Sequence, residues 1–169
     1  MDKRITATLQ RIHDAYLKEK KKKSISEIKV IDICKHAKIN KTTFYRHYRD
    51  IYDLADKAEN QVIQEMISNY RHIDTLLAEP EAYITENIEI CTRYSDLLET
   101  VFDQRKYLLI SKLEEALVER CLTEEHTQYE ALLLKFCMGG ASHIITGEQS
   151  EEEAEVSKRF LVEVMKKLV

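Results

Sequence analysis

Apolar residues recur at helical intervals along nearly the whole chain. Ile5, Leu9, Ile12 and Tyr16 stand at i, i+4, i+7 and i+11 and predict a first helix over about residues 3–22 with one buried face. Val30, Ile33, Cys34 and Ala37 repeat the spacing; Lys38, Ile39 and Asn40 interrupt it, and a new helix begins at Lys41, Thr42 and Thr43 with Phe44 turned inward. Two short helices joined by a tight turn make a helix-turn-helix outline. Leu54, Ala58, Val62 and Met66 predict a fourth helix, capped by Asp50 and running to about residue 72. Pro80 suits the first turn of a fifth, where its missing N–H would be unpaired anyway. Tyr83, Ile84, Ile88, Cys91, Leu98 and Val101 supply that helix's apolar face. A sixth, about 105–122, uses Leu109, Leu113, Leu117 and Cys121; a seventh, about 125–146, uses Tyr129, Leu132, Leu133, Phe136, Cys137, Gly140 and Ile144. An eighth follows Gly147 and the acidic run Glu151, Glu152 and Glu153, with Val156, Phe160, Val164 and Leu168 on one face.

No stretch alternates as a strand would, and 169 residues hold only 3 Gly and 1 Pro, so the expected fold class is all-α with about eight helices. Asn40 is placed to cap the third helix with its side-chain oxygen. Before the second helix stands Lys29, which cannot accept a hydrogen bond from the first N–H groups; either Ser26 caps a little earlier or the helix start is frayed. The run Lys20 to Lys23 reads either as a solvated cationic helix end that complements the dipole or as a source of long-range attraction to a polyanion.

Charge divides the chain in two. Residues 1–50 carry 14 Lys and Arg against 6 Asp and Glu, a net +8, whereas the remainder carries 12 against 24, a net −12. A basic first third is the footprint of a phosphate-binding module, and the acidic remainder would be repelled by the same partner. The expected division is a DNA-binding domain over residues 1–50, a linking helix over 50–72, and a regulatory and dimerisation domain over 51–169. Cys34, Cys91, Cys121 and Cys137 show no metal spacing and read as buried, reduced thiols. The segment from Met1 to Arg11 is charged throughout, and no apolar run approaches the ~20 residues needed to span a bilayer. A soluble cytoplasmic protein with no membrane partner is expected. The six histidines form no ligand set, and Gly-rich phosphate loops, GxSxG and HExxH are missing, which argues against an enzyme and against a metal or other cofactor.

The third helix concentrates groups that can touch DNA. Lys41, Thr42 and Thr43 occupy its first turn, the part of a recognition helix that reaches base edges. Phe44, with Tyr48, points toward the core, leaving Tyr45, Arg46 and His47 outward. Arg46 suits guanine or phosphate, Thr43 a thymine methyl or a phosphate, and the Tyr45 hydroxyl a backbone phosphate. Any one of them alone would be an ordinary exposed polar residue; their crowding on one short helix favours duplex DNA.

The run IKVIDICKHAKINKTTFYRHYRD at residues 28–50, followed by Tyr52, Asp53 and Leu54, closely resembles the N-terminal domain of the TetR family of transcriptional regulators. With the preceding amphipathic helix the resemblance covers roughly residues 3–60; beyond that it is one of length and helical pattern only. Three positions depart from the family. Lys38 stands where a Gly is usual in the turn, Ile51 where a phosphate-approaching Lys is common, and Lys29 where Thr or Ser is usual, which puts a charge–phosphate contact in place of a hydroxyl–phosphate one. The DNA-binding set the chain retains is Lys29, Lys41, Thr42, Thr43, Tyr45, Arg46, His47 and Tyr48.

The resemblance also implies that the fourth helix links the DNA-binding and ligand domains, and that the last two helices pack against their copies as a four-helix interface. Candidate interface residues are Phe136, Gly139, Gly140, His143, Val156, Phe160 and Val164; the glycine pair alternatively lies beside a pocket or marks a local kink. A ligand pocket is expected after residue 80, with Tyr83, Cys91, Tyr94, Tyr107 and Tyr129 as candidates, although tyrosines at such spacing also serve as core. The expected function is a homodimeric repressor released from a palindromic operator by a small-molecule effector. The alternative is a helical protein-interaction module that uses DNA as an anchor without an effector.

Overall fold

The computed structural model describes residues 3–146 and 150–168, and among them the chain is all-α. Its helices are α1 (Lys3–Lys20), α2 (Val30–Ala37), α3 (Lys41–His47), α4 (Ile51–Ser68), α5 (Pro80–Phe102), α6 (Lys106–Cys121), α7 (Gln128–Ile145) and α8 (Glu151–Leu168). Short 3-10 turns occupy Ile25–Glu27, Ile73–Thr75 and Asp103–Arg105. No described helix is long and apolar enough to cross a membrane. Gly147, expected to separate the last two helices, lies outside the described residues.

The chain divides into two compact units. The first takes the chain up to Val62 together with Leu97–Arg105, and the second takes Ile63–Asp96 together with the chain from Lys106 onward. Most of α4, expected as a link, thus belongs with the helices before it.

In the first unit Ile12 and Tyr16 of α1, Ile33, Cys34 and Ala37 of α2, Phe44 of α3 and Leu54, Ala55 and Ala58 of α4 form one core. Charges reinforce it at the edge: the Glu19 carboxylate accepts from Lys23 Nζ at 2.8 Å and meets His36 Nε2 of α2 at 3.0 Å, while Lys23 also approaches Asp32 at 3.6 Å. On the other side Lys20 Nζ donates to Asp103 at 2.8 Å, and Arg105 pairs at 3.2 Å with Glu59, which is fully buried on α4. These pairs tie the Leu97–Arg105 segment to α1 and α4. Burial, with the Glu59 charge beside it, pushes the Tyr16 hydroxyl pKa up.

The second unit buries Ile63, Met66, Tyr70, Ile73, Tyr83, Ile84, Leu113 and Leu117, together with Leu134, Cys137, Met138 and Ala141 of α7 and Leu161 and Met165 of α8. Two buried polar residues on α5 organise this interior. Asn87 accepts from the Tyr70 hydroxyl at 3.0 Å and donates to the Tyr83 hydroxyl at 3.3 Å. Glu86 accepts from the backbone N–H groups of Arg71 and His72 at 3.0 and 2.7 Å and from Arg71 Nε at 3.1 Å.

Glu86 explains why α4 stops at Ser68 and not near residue 72. The Arg71 and His72 amides are drawn to its carboxylate, while Ser68 Oγ and Asn69 Nδ2 take the Glu65 carbonyl. The seventh helix also begins later than expected, because Thr127 and Glu130 form a reciprocal capping box: Glu130 N donates to Thr127 Oγ1, and Thr127 N donates to the Glu130 carboxylate. Ser150 and Glu153 do the same for α8.

Candidate nucleic-acid interface

α2 has a well-fixed end and a bare beginning. Lys29 is its N-cap in extended conformation with no side-chain capping bond. Ser26 does not supply one either: its hydroxyl sits 3.0 Å from Ser24 Oγ, and Ser24 with Glu27 holds the preceding 3-10 turn. At the far end Lys38 adopts the left-handed conformation (φ 54°, ψ 49°), which brings Ile39 N to the Cys34 carbonyl at 3.0 Å. The turn usually made by glycine is therefore kept with a lysine, at a cost of about 1–2 kcal/mol.

α3 starts on Asn40, whose Oδ1 accepts from Thr43 N at 2.7 Å. α4 starts on Asp50, whose Oδ1 accepts from Asp53 N at 2.8 Å. Between these two caps α3 is a single rigid presentation of seven residues. Phe44 is wholly buried, and Lys41, Thr42, Tyr45 and Arg46 are exposed, with Thr43 and His47 half-buried. Lys29 is exposed as well. Seven of the eight residues expected to meet DNA thus have solvent-facing surface.

Tyr48 is the exception. It is 8% exposed, packs its ring 5.5 Å from that of Phe44 and carries Lys57 Nζ 4.9 Å above its face. Burial, helped by the Asp53 charge, pushes its hydroxyl pKa up. It is a core residue closing the end of α3, because the chain leaves the helix there and its side chain follows Phe44 inward. Lys57 also donates to the His47 carbonyl at 2.9 Å and to Asp53 at 3.1 Å, so α4 locks the last turn of α3 from behind.

Among the described residues, Arg46, Lys29 and Lys41 enter none of the ion pairs of this unit, whereas Lys20, Lys23 and Lys57 are each held by a carboxylate. Their charge is available to an outside anion. An open hollow of about 420 Å³ lies beside α3, where α2 begins and α4 begins, with Lys29, Ile31, Lys41, Tyr45 and Tyr52 among its lining. Ile31 and Tyr52 had not been expected here. Ile31 is off the apolar stripe of α2 by one position, and that displacement is the signal that it faces out.

The second unit places the remaining candidates less evenly. Tyr83 and Tyr94 are buried; the Tyr94 hydroxyl donates to Glu65 at 2.9 Å, and Cys91 Sγ lies 3.3 Å from Asn87 Oδ1. Tyr107 and Tyr129, however, are 73% and 71% exposed and do not face this interior. Tyr107 precedes the buried Leu109 by two residues, which puts it on the opposite side of α6. Tyr129 shares a face of α7 with Leu132, Phe136, Gly140 and His143, all exposed, while the buried face is Leu134, Cys137, Met138 and Ala141. Phe136 is 65% exposed; Val156 and Phe160 stand out from α8 in the same way, and Val164 is half-buried. A Cβ added at Gly140 would meet nothing within 4 Å, whereas one at Gly139 would come within 3.1 Å of the Glu114 carboxylate.

The four thiols are free, and burial pushes each pKa up, to about 12 for Cys91 and Cys121. None is activated for nucleophilic or ligand chemistry at neutral pH. Among the described residues no three His, Cys, Asp or Glu side chains come together as a metal site. The sequence matches no protein-family model, and no curated protein matches it significantly.

Proposed function

We propose that this protein is a sequence-specific, homodimeric DNA-binding transcriptional regulator of the TetR type, acting as a repressor on a palindromic operator. The observation that carries the reading is α3 itself: a short helix fixed at both ends by Asn40 and Lys57, buried through Phe44 and presenting Lys41, Thr42, Tyr45 and Arg46 to solvent. Such a helix serves the fold with one side chain and leaves the rest for an outside partner. Thr42 and Arg46 are i, i+4 neighbours suited to base edges, and the Tyr45 hydroxyl suits a phosphate.

Dimerisation is supported by the exposed apolar face of α7 and α8. Phe136, Leu132, Val156 and Phe160 stand at helical spacing with more than half of each exposed, and a Cβ at Gly140 of α7 would meet open space. A second copy covering that face would give the assembly two recognition helices, as a palindrome with half-sites about one DNA turn, roughly 34–36 Å, apart requires. A small molecule held in the second unit that favours a different spacing would release the operator.

Selection of binding sites from random duplexes tests the reading. A palindrome should emerge, and Tyr45→Phe and Arg46→Ala should each weaken its binding while the protein stays folded. Recovery of no preferred sequence, with full affinity in Arg46→Ala at several salt concentrations, would overturn it. A second reading draws on the same α7–α8 face, which also suits a different protein: an interaction module anchored on DNA. It requires the purified protein to sediment as a monomer and to bind DNA regardless of sequence.

A further inference from the structure

Among its described residues the first unit exposes four large apolar side chains, Ile5, Ile31, Tyr45 and Tyr52, and the last three line the same hollow beside α3. Each of those three is 56% exposed. Apolar surface gathered in this way, on the most basic part of an otherwise acidic chain, is not explained by packing. Lys29 and Lys41 stand in the same lining, and neither shares the ion pairs that engage Lys20, Lys23 and Lys57. The one carboxylate of the hollow, Asp50, has an oxygen committed to capping α4. Two free ammonium groups around an apolar wall, with the Tyr45 hydroxyl and Ser26 beside them, match a strand in which phosphates alternate with deoxyribose. We propose that this hollow clamps one strand of the DNA backbone: Lys29 and Lys41 hold phosphate oxygens, and Tyr52 and Ile31 close on the sugar between them.

The proposal rests on the DNA-binding reading and deepens it in two ways. Tyr52 and Ile31 join the interface, and Lys41 grips phosphate instead of reading a base. Tyr52 is the second residue of α4, directly after the buried Ile51, and so stands where that helix begins beside α3.

The test measures binding of the full-length protein to a mixed-sequence B-form duplex by fluorescence anisotropy across a salt series. Lys29→Ala and Lys41→Ala should each reduce the slope of log K against log salt by about 0.9, one phosphate contact apiece. Tyr52→Ala should weaken binding several-fold with the slope unchanged, and its exposed position predicts unaltered helicity by circular dichroism. Lys41→Ala should leave the sequence recovered in site selection unchanged. Should Lys29→Ala, Lys41→Ala and Tyr52→Ala all keep wild-type affinity and slope while Arg46→Ala weakens, the clamp is wrong and the regulator reading stands. If Arg46→Ala and Tyr45→Phe are also without effect on binding to the palindrome recovered by site selection, the reading falls and the clamp with it. Poly-glutamate binding that is lost in Lys29→Ala without any change toward DNA would assign the hollow to an acidic protein and overturn the clamp.

Discussion

Two exposed faces of this chain serve no purpose in its folding, and they differ in kind. The face of α3 is polar and cationic, seated on one buried phenylalanine and pinned by caps at both ends. The face of α7 and α8 is apolar, with Leu132, Phe136, Val156 and Phe160 left open above a stripe that is already buried. A cationic face gains most from a polyanion, through counterion release; an apolar face gains most from another apolar face, through loss of water. Under the proposed function, the contrast in chemistry gives the two surfaces different partners, DNA for the first and a second copy for the other.

The contrast is broken most severely by placing charge on the apolar face. Phe136→Glu with Phe160→Glu should convert a dimer to a monomer in sedimentation experiments and lower operator affinity by about 10²-fold or more, as expected when two linked contacts become one. A double variant that stays dimeric would remove that face from the interface. Arg46→Ala attacks the other face and should cost about 1–3 kcal/mol of operator binding with relaxed sequence preference, without changing the oligomeric state.

Glu86 tests the interior of the second unit, away from either face. Burial opposes its ionisation, yet the hydrogen bonds from His72 N, Arg71 N and Arg71 Nε outweigh it and hold the carboxyl below the usual range. A pKa lower in the folded than in the unfolded state means that its stabilisation is complete well above the unfolded value of about 4.3 and is lost as pH falls through the folded value. Glu86→Gln should lower stability at neutral pH by about 1–3 kcal/mol and flatten the acid limb of a thermal-melting profile. Smallest is Lys38→Gly, which should raise stability by about 1 kcal/mol or less: it removes left-handed strain at φ 54° but adds backbone freedom to the unfolded chain. A lower melting temperature in that variant would mean that the Lys38 side chain contributes more than its backbone strain costs.

The elements themselves were readable to within a few residues, since their signals are local. Asn40 and Asp50 cap the helices they were expected to cap, and Pro80 opens α5. The late start of α7 was also written locally, in the capping pair Thr127 and Glu130. Tyr107 and Tyr129, expected in a pocket but exposed, and Tyr48, read both as turned inward and as a DNA contact, show where local reading stops. A tyrosine tolerates core and surface alike, and nothing near it in sequence says which it meets. Glu86 makes the same point more strongly: a carboxylate between Thr85 and Asn87 carries no local sign of burial until the amides of residues 71 and 72 are brought to it.

By itself the sequence determined the all-α class, the order of the helices, the capped α3 with Phe44 inward and the separation of basic from acidic chain. Helix periodicity, caps and charge are properties of neighbours along the chain, so they survive without a fold. Only the tertiary structure decided which tyrosines are core, that Leu97–Arg105 joins the first unit through Lys20 and Glu59, and that Ile31 and Tyr52 line the same hollow as Lys29 and Lys41. Those relations join residues far apart in sequence, and burial of shared apolar surface, not local propensity, brings them together.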